Sequence, residues 1–226
     1  MGLGSRLLIL TVVLLALAVA VVFLPAGSWS FWQGWAFLAA YFIPSTLGFI
    51  YFFRHGKDLV ERRLRTEEKV EEQKLLIRVG RLLFLAVLAL PGLDYRLGWS
   101  RNTLGAVPVW LTAVSLAMVA FGAIFVLWVF KVNSFAGRTI EAETGQAVVS
   151  TGPYAWVRHP MYTGSLVLFM FTPLALGSWV ALPAFALLIP FFALRLLNEE
   201  KVLHAELAGY PEFCTKTRYH LIPLVW

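Results

Sequence analysis

The sequence predicts an all-α, polytopic integral membrane protein of about six transmembrane helices that closes on a C-terminal helical hairpin. Three observations carry this. The chain is 59% hydrophobic and only 14% charged, whereas a soluble domain has about a quarter charged residues. Its apolar residues fall in uninterrupted blocks of bilayer-spanning length. Its positive residues gather in alternate loops, as they do on the cytoplasmic side of membrane proteins.

The elements follow in order. Leu7 to Ala26 is an apolar run behind Arg6. It is too long for a signal-peptide core and another span follows at once, so it reads as a retained first helix. After an uncharged turn, Phe31 to Phe53 is a second span with Pro44 inside it, and residues 1–53 make an N-terminal helical hairpin. Residues 54–81 change character, with nine Lys and Arg and six acids around a thin apolar face; this predicts one or two cytoplasmic helices on the membrane surface. Residues 82–130 hold two spans. Leu82 to Trp99 is interrupted by Pro91, Asp94 and Arg96, so its outer end is expected among the headgroups, while Leu104 to Phe130 carries no charge. Residues 131–226 form the last region. A polar connector, Lys131 to His159, leads into apolar runs Met161 to Leu176 and Trp179 to Leu194, joined by Gly177-Ser178. So short a joint predicts an antiparallel hairpin. The whole chain is read as a single membrane domain.

With the N-terminus inside, seventeen of the nineteen Lys and Arg lie on the cytoplasmic side and only Arg96 and Arg101 outside. The net charge of +6 is explained by this asymmetry and calls for no nucleic acid. Cys214 is the single cysteine, which excludes an internal disulfide and a multi-Cys metal site. The histidines show no ligand spacing, so no metal is expected. There is no Gly-x-Ser-x-Gly element, P-loop or Gly-x-Gly-x-x-Gly fingerprint, and the spans lack the mid-membrane polar residues of a transporter.

The chemistry is expected at the two ends of the last hairpin. Ser150 to Gly164 crowds Gly, Pro, Tyr, Arg and His before an apolar run, and Pro153 and Pro160 forbid a helix straight through it. Charged groups at the mouth of a membrane helix are costly unless they line a cavity or the headgroup zone. The hairpin leaves and regains the same face, so Arg158, His159 and Tyr162 are expected to meet Arg195, Asn198, Glu199 and Glu200. Arg195 and Glu199 share one helix face. Glu199 and Glu200 point to different sides, so each requires its own partner.

These residues carry a resemblance. Gly152-Pro153-Tyr154, Arg158-His159-Pro160-x-Tyr162-x-Gly164, Arg195-x-x-x-Glu199-Glu200, Gly209-Tyr210 and Arg218-Tyr219, together with Pro91 to Tyr95 and Trp99, resemble the isoprenylcysteine carboxyl methyltransferase family, which belongs with the phospholipid methyltransferase-like membrane enzymes. The resemblance implies S-adenosyl-L-methionine as methyl donor in a cytoplasmic cofactor pocket at the ends of the last helices. It implies that Gln146, Tyr154, His159, Pro160, Tyr162, Glu199 and Glu200 bind the cofactor, and that Arg195 faces the reacting carboxylate of the substrate. Arg195 and Glu199 are then the catalytic pair. The acceptor would be lipid-like, by family a prenylated cysteine carboxylate, with membrane lipids as the surroundings. The short chain points to a bacterial inner membrane. Two other readings stand beside it. An NADPH-dependent sterol-type reductase shares an Arg-His-Pro-x-Tyr element and a Tyr-His-Leu-Ile-Pro ending, but Met161 stands where it would have Asn. A non-catalytic scaffold would use the basic loop to hold anionic lipid.

Overall fold

The computed structural model describes residues 3–56, 59–61, 71–135 and 147–226. Among them every regular element is helical: α1 Leu3–Ala26, α2 Trp32–His55, α3 Glu71–Leu97, α4 Trp99–Thr103, α5 Val109–Val132, a 3₁₀ turn Gly152–Ala155, α6 Pro160–Ala175, α7 Leu182–Ala186, α8 Leu188–Glu206 and α9 Tyr210–Lys216. Four stretches are long and apolar enough to cross a bilayer: Ile9–Ala26, Trp32–His55, Val109–Val132 and Leu182–Glu206. They keep apolar side chains such as Val12, Leu47, Phe121, Ile124 and Ile189 on the outer surface, which only a hydrocarbon surrounding makes stable. The protein is an integral membrane protein.

The predicted count of about six spans becomes these four plus two helices of a different kind. The short α6 is apolar throughout, while α3 is long enough to span but begins in a charged sequence. The predicted surface helix and third span are continuous from Glu71 onward, because nothing between Glu71 and Leu82 caps or breaks a helix. Gly80 sits in the join, where a Cβ would lie 2.2 Å from the Phe191 ring of α8. The rest of the predicted surface segment lies mostly outside the described residues. The last span is also longer than expected. A five-residue helix and α8 follow the Gly177 turn, and α8 runs past Leu194 to Glu206, so Arg195, Glu199 and Glu200 are helical.

Close helix contacts explain several glycines. A Cβ on Gly122 of α5 would fall 2.8 Å from the carbonyl of Gly164 on α6, and one on Gly164 would fall 2.9 Å from Phe125 and Val126. Small residues let membrane helices approach this closely, where packing rather than hydrophobicity drives association. Gly92 plays the same part between α3 and α1, with Val22 O 2.6 Å from its would-be Cβ. Around these contacts a core of Val22, Phe31, Val119, Leu176, Phe185 and Leu188 closes the bundle.

At the bundle end far from His159, Asp94 does more than interrupt a span. It is 4% exposed. Its carboxylate accepts the Ser100 N–H (2.7 Å) and the hydroxyls of both Ser100 and Ser178. Ser100 Oγ then accepts the N–H groups of Trp179 and Val180 at 2.9 and 3.1 Å. One buried acid thus satisfies, directly and through two serines, the backbone donors where α3 ends and the α6–α7 turn begins.

Candidate active site

The helical hairpin brings its two ends together around one carboxylate. Pro160 is the first residue of α6, where a missing N–H is harmless and its fixed φ suits the helix. His159 precedes it in a non-helical conformation, with its side chain 5% exposed. From α8, Glu200 reaches His159. The ring Nε2 lies 3.1 Å from Glu200 Oε1. A carboxylate can only accept, which puts the ring proton on Nε2. Tyr210 OH donates to the same oxygen at 3.3 Å, and Arg158 Nη1 does so at 3.3 Å. His220 Nε2 lies 3.1 Å from Glu200 Oε2. Glu200 is 8% exposed, and a charge so placed requires this set of donors.

Glu199 faces the other way, as the adjacency of the two acids predicts. Its Oε2 accepts the Tyr162 hydroxyl at 2.6 Å, and its Oε1 is 4.0 Å from His159 Nδ1, too far for a hydrogen bond. With its side chain 24% exposed, this carboxylate meets fewer donors than Glu200 among the described residues. Tyr162 packs against Leu196 and Leu221. Arg195 stands one turn before Glu199 on α8 and near enough to Tyr162 to hydrogen-bond it.

The C-terminal tail completes the cluster. Tyr219 O and His220 O accept the backbone N–H groups of Arg158 and His159 at 2.8 and 3.0 Å. Arg158 donates from Nε to Thr217 O (2.7 Å) and from Nη2 to Cys214 O (3.2 Å). Those carbonyls lie at the end of α9, where a helix has unpaired acceptors and favours a cation. Thr163 Oγ1 donates to Leu221 O at 2.7 Å. Burial, reinforced by the nearby Glu200 carboxylate, pushes the Tyr210 phenol far above its ordinary pKa, so it stays a donor. Burial likewise raises the Cys214 thiol, against the pull of Arg158.

The predicted residues therefore divide. His159, Pro160, Tyr162, Arg195, Glu199 and Glu200 come together. Tyr154 sits one shell further out: its hydroxyl accepts from Asn133 Nδ2 at 2.9 Å, and its ring packs with the Leu207, Tyr210 and Phe213 group. Gln146 lies outside the described residues. Tyr210 and His220 were not assigned to the cluster from sequence, although Tyr210 is in the motif. The signal was the return of Tyr and His in a polar tail after the last span, which gives no indication of distance in space.

Beside Tyr162 opens an apolar cavity of about 320 Å³, walled by Phe84, Met161, Phe169 and Phe192, with Arg81 and Arg195 also on its lining. The polar cluster and this cavity share the Tyr162 side chain.

Residues 110–207 match the family model described as phospholipid methyltransferase. Over 99 residues, 41% of this chain, the sequence is 31% identical to the Delta(14)-sterol reductase TM7SF2 of Mus musculus; the chain spans about a quarter of that protein's length, 23%. Among solved structures, the eukaryotic intramembrane Ras methyltransferase ICMT (isoprenylcysteine carboxyl methyltransferase) aligns with a TM-score of 0.49 and 15% identity, over 100% of this chain and 88% of that one. Through the stretch that supplies Arg158, His159, Tyr162, Arg195, Glu199 and Glu200, the chain is thus similar to the phospholipid methyltransferase family of membrane methyltransferases.

Proposed function

We propose that the protein is an S-adenosyl-L-methionine-dependent membrane methyltransferase that O-methylates the α-carboxylate of an isoprenylcysteine or a similar amphiphile. The observation that carries this reading is the sharing of Tyr162. One side of the residue belongs to a charged cluster suited to a polar donor, and the other lines a cavity suited to a hydrocarbon acceptor.

The donor set fits the cofactor. Its amino-acid end is zwitterionic and its ribose bears hydroxyls. Glu199 is acceptor-only, partly exposed and only partly engaged by Tyr162, which suits an ammonium or a hydroxyl. Glu200 is taken up by Arg158, His159, Tyr210 and His220, so its part is to fix His159 and the tail strap. Glu199, His159, Pro160, Tyr162 and, behind them, Tyr154 would hold the cofactor, which supplies a methyl group on a sulfonium.

The chain's own residues then have positioning work. An acceptor carboxylate is ionised near neutral pH and requires no general base. Arg195 orients it as a forked donor. The apolar wall of Phe84, Phe169 and Phe192 keeps water from competing with it. Alignment of this kind supplies much of the rate in a displacement. The polar end of the bundle is assigned to the cytoplasm by the positive-inside rule.

The 99-residue likeness to a sterol reductase favours a second reading, NADPH-dependent reduction at the same site. Calorimetry of the purified protein with S-adenosylhomocysteine and NADPH in parallel separates the two. Binding of the former alone, lost in Glu199→Ala and kept in Arg195→Ala with turnover abolished, is the expected outcome. Binding of NADPH alone would overturn the methyltransferase reading.

A further inference from the structure

A second apolar cavity, of about 390 Å³, lies among α1, α2, α3 and α6. It shares two wall residues with the cavity beside Tyr162: Phe84 and Phe169. The sequence order along both helices is the same. On α3, Ile77 and Arg81 line the first cavity, Phe84 both, and Leu88 the second. On α6, Tyr162 and Ser165 line the first, Phe169 both, and Thr172 the second. Two helices starting at the same end of the bundle therefore trace one path away from the polar cluster. From Ile77 to Leu88 it runs on the order of 16 Å at the helical rise.

The neck of this path is an aromatic pair. The Phe84 and Phe169 centroids lie 5.1 Å apart. Phe169 stacks on Phe192 at 5.6 Å, and Phe192 meets Tyr162 edge-on at 5.9 Å. A continuous aromatic row thus ties the neck to the residue that Glu199 holds. The charges on the upper cavity are Arg81 and Arg195, both positive, so the occupant has an anionic head at that end. With their centroids at that distance the Phe84 and Phe169 rings are in contact, so the pair separates the two cavities.

From these observations we infer that Phe84 and Phe169 form the floor of the acceptor cavity and set the longest hydrocarbon chain the site accepts, with the deeper cavity as a separate space behind them. This rests on the proposed function only in naming the occupant as the acceptor. The pair is then a specificity device. Chains that end above it lie along the apolar wall, and longer ones gain nothing because the rings block their ends. Removing either ring joins the cavities and moves the cut-off to longer chains.

The test is calorimetric binding of N-acetyl-S-alkylcysteines (hexyl, decyl, tetradecyl and octadecyl) to the full chain in phosphatidylcholine nanodiscs, corrected with empty discs. For the native sequence, affinity referenced to free aqueous ligand rises with each added methylene, by at most roughly fourfold, the value for full burial from water, and then stops rising. In Phe84→Ala and Phe169→Ala the rise continues to longer chains. Adding Leu88→Phe to Phe84→Ala refills the deep cavity and restores the native cut-off. Phe84→Leu, milder in packing, shifts the cut-off in the same direction should the alanine variants fold poorly. Equal cut-offs in native and variant proteins, or no cut-off in the native protein, would overturn the inference. Methyl transfer from labelled S-adenosyl-L-methionine to the same compounds is scored separately. A shifted cut-off without transfer would leave the length stop standing and remove the methyltransferase reading; transfer without a shift would do the reverse.

Discussion

Glu200→Gln distinguishes a carboxylate that holds the fold from one that holds a ligand. The change keeps the size of the side chain and one acceptor oxygen. It removes the charge that Arg158, His159, Tyr210 and His220 all approach at 3.1–3.3 Å. Breaking one partner of a buried pair costs about 3–5 kcal/mol. The side chains of Glu200 and Arg158 retain 11% and 14% exposure, and Arg158 keeps its bonds to Thr217 O and Cys214 O, so the lower end applies, about 3 kcal/mol. For a chain of this size each kcal/mol moves Tm by roughly 2–4 °C, giving a fall of roughly 6–12 °C. Thermal unfolding in one fixed detergent measures it, without cofactor. Glu199→Gln, measured beside it, loses only the charge on a partly exposed acceptor of one tyrosine hydroxyl and moves Tm by about 2 °C or less. Equal shifts for the two variants would refute the division of labour between the acids. An unchanged Tm for Glu200→Gln with lost S-adenosylhomocysteine binding would make Glu200 a ligand group.

Two further outcomes follow from the same geometry. Tyr210 has a folded pKa raised above its unfolded value of about 10. Its contribution is therefore fully present below pH 10 and is lost as pH rises beyond it, at up to about 1.4 kcal/mol per pH unit. Tm measured at rising alkaline pH falls more steeply for the native protein than for Tyr210→Phe, and parallel curves would contradict the assignment. At the α5–α6 contact, Gly164→Ala places a methyl 2.9 Å from Phe125 and Val126. This overpacking costs about 1–3 kcal/mol, visible as a lowered Tm; an unchanged Tm would mean that the helices separate freely there.

What was legible in the sequence follows from which forces are local. The spans are legible because a bilayer imposes one requirement on about twenty consecutive residues: Trp32–His55 begins and ends close to the predicted limits, while Val109–Val132 starts five residues after the predicted Leu104, behind Pro108. The meeting of His159 with the two acids was also legible, since a hairpin returning to one membrane face leaves its ends no other place. The continuity of α3 was not. A charged stretch ahead of an apolar one reads as a boundary, yet a helix stops only where a cap or breaker stops it, and Gly80 lies inside α3 with Phe191, a residue far along the chain, where a Cβ would be. The role of Asp94 was out of reach for a related reason. As a charge inside a span it interrupts the apolar run, and the partner it accepts from, Ser178, is one that no periodicity connects to it. Glu199 and Glu200 show the same limit. Adjacency requires them to point apart, but which acid faces the pocket is decided by Tyr210, Arg158 and the tail strap. Among the described residues, four donors converge on Glu200 and one on Glu199, and under the proposed function it is therefore Glu199 that would engage the cofactor.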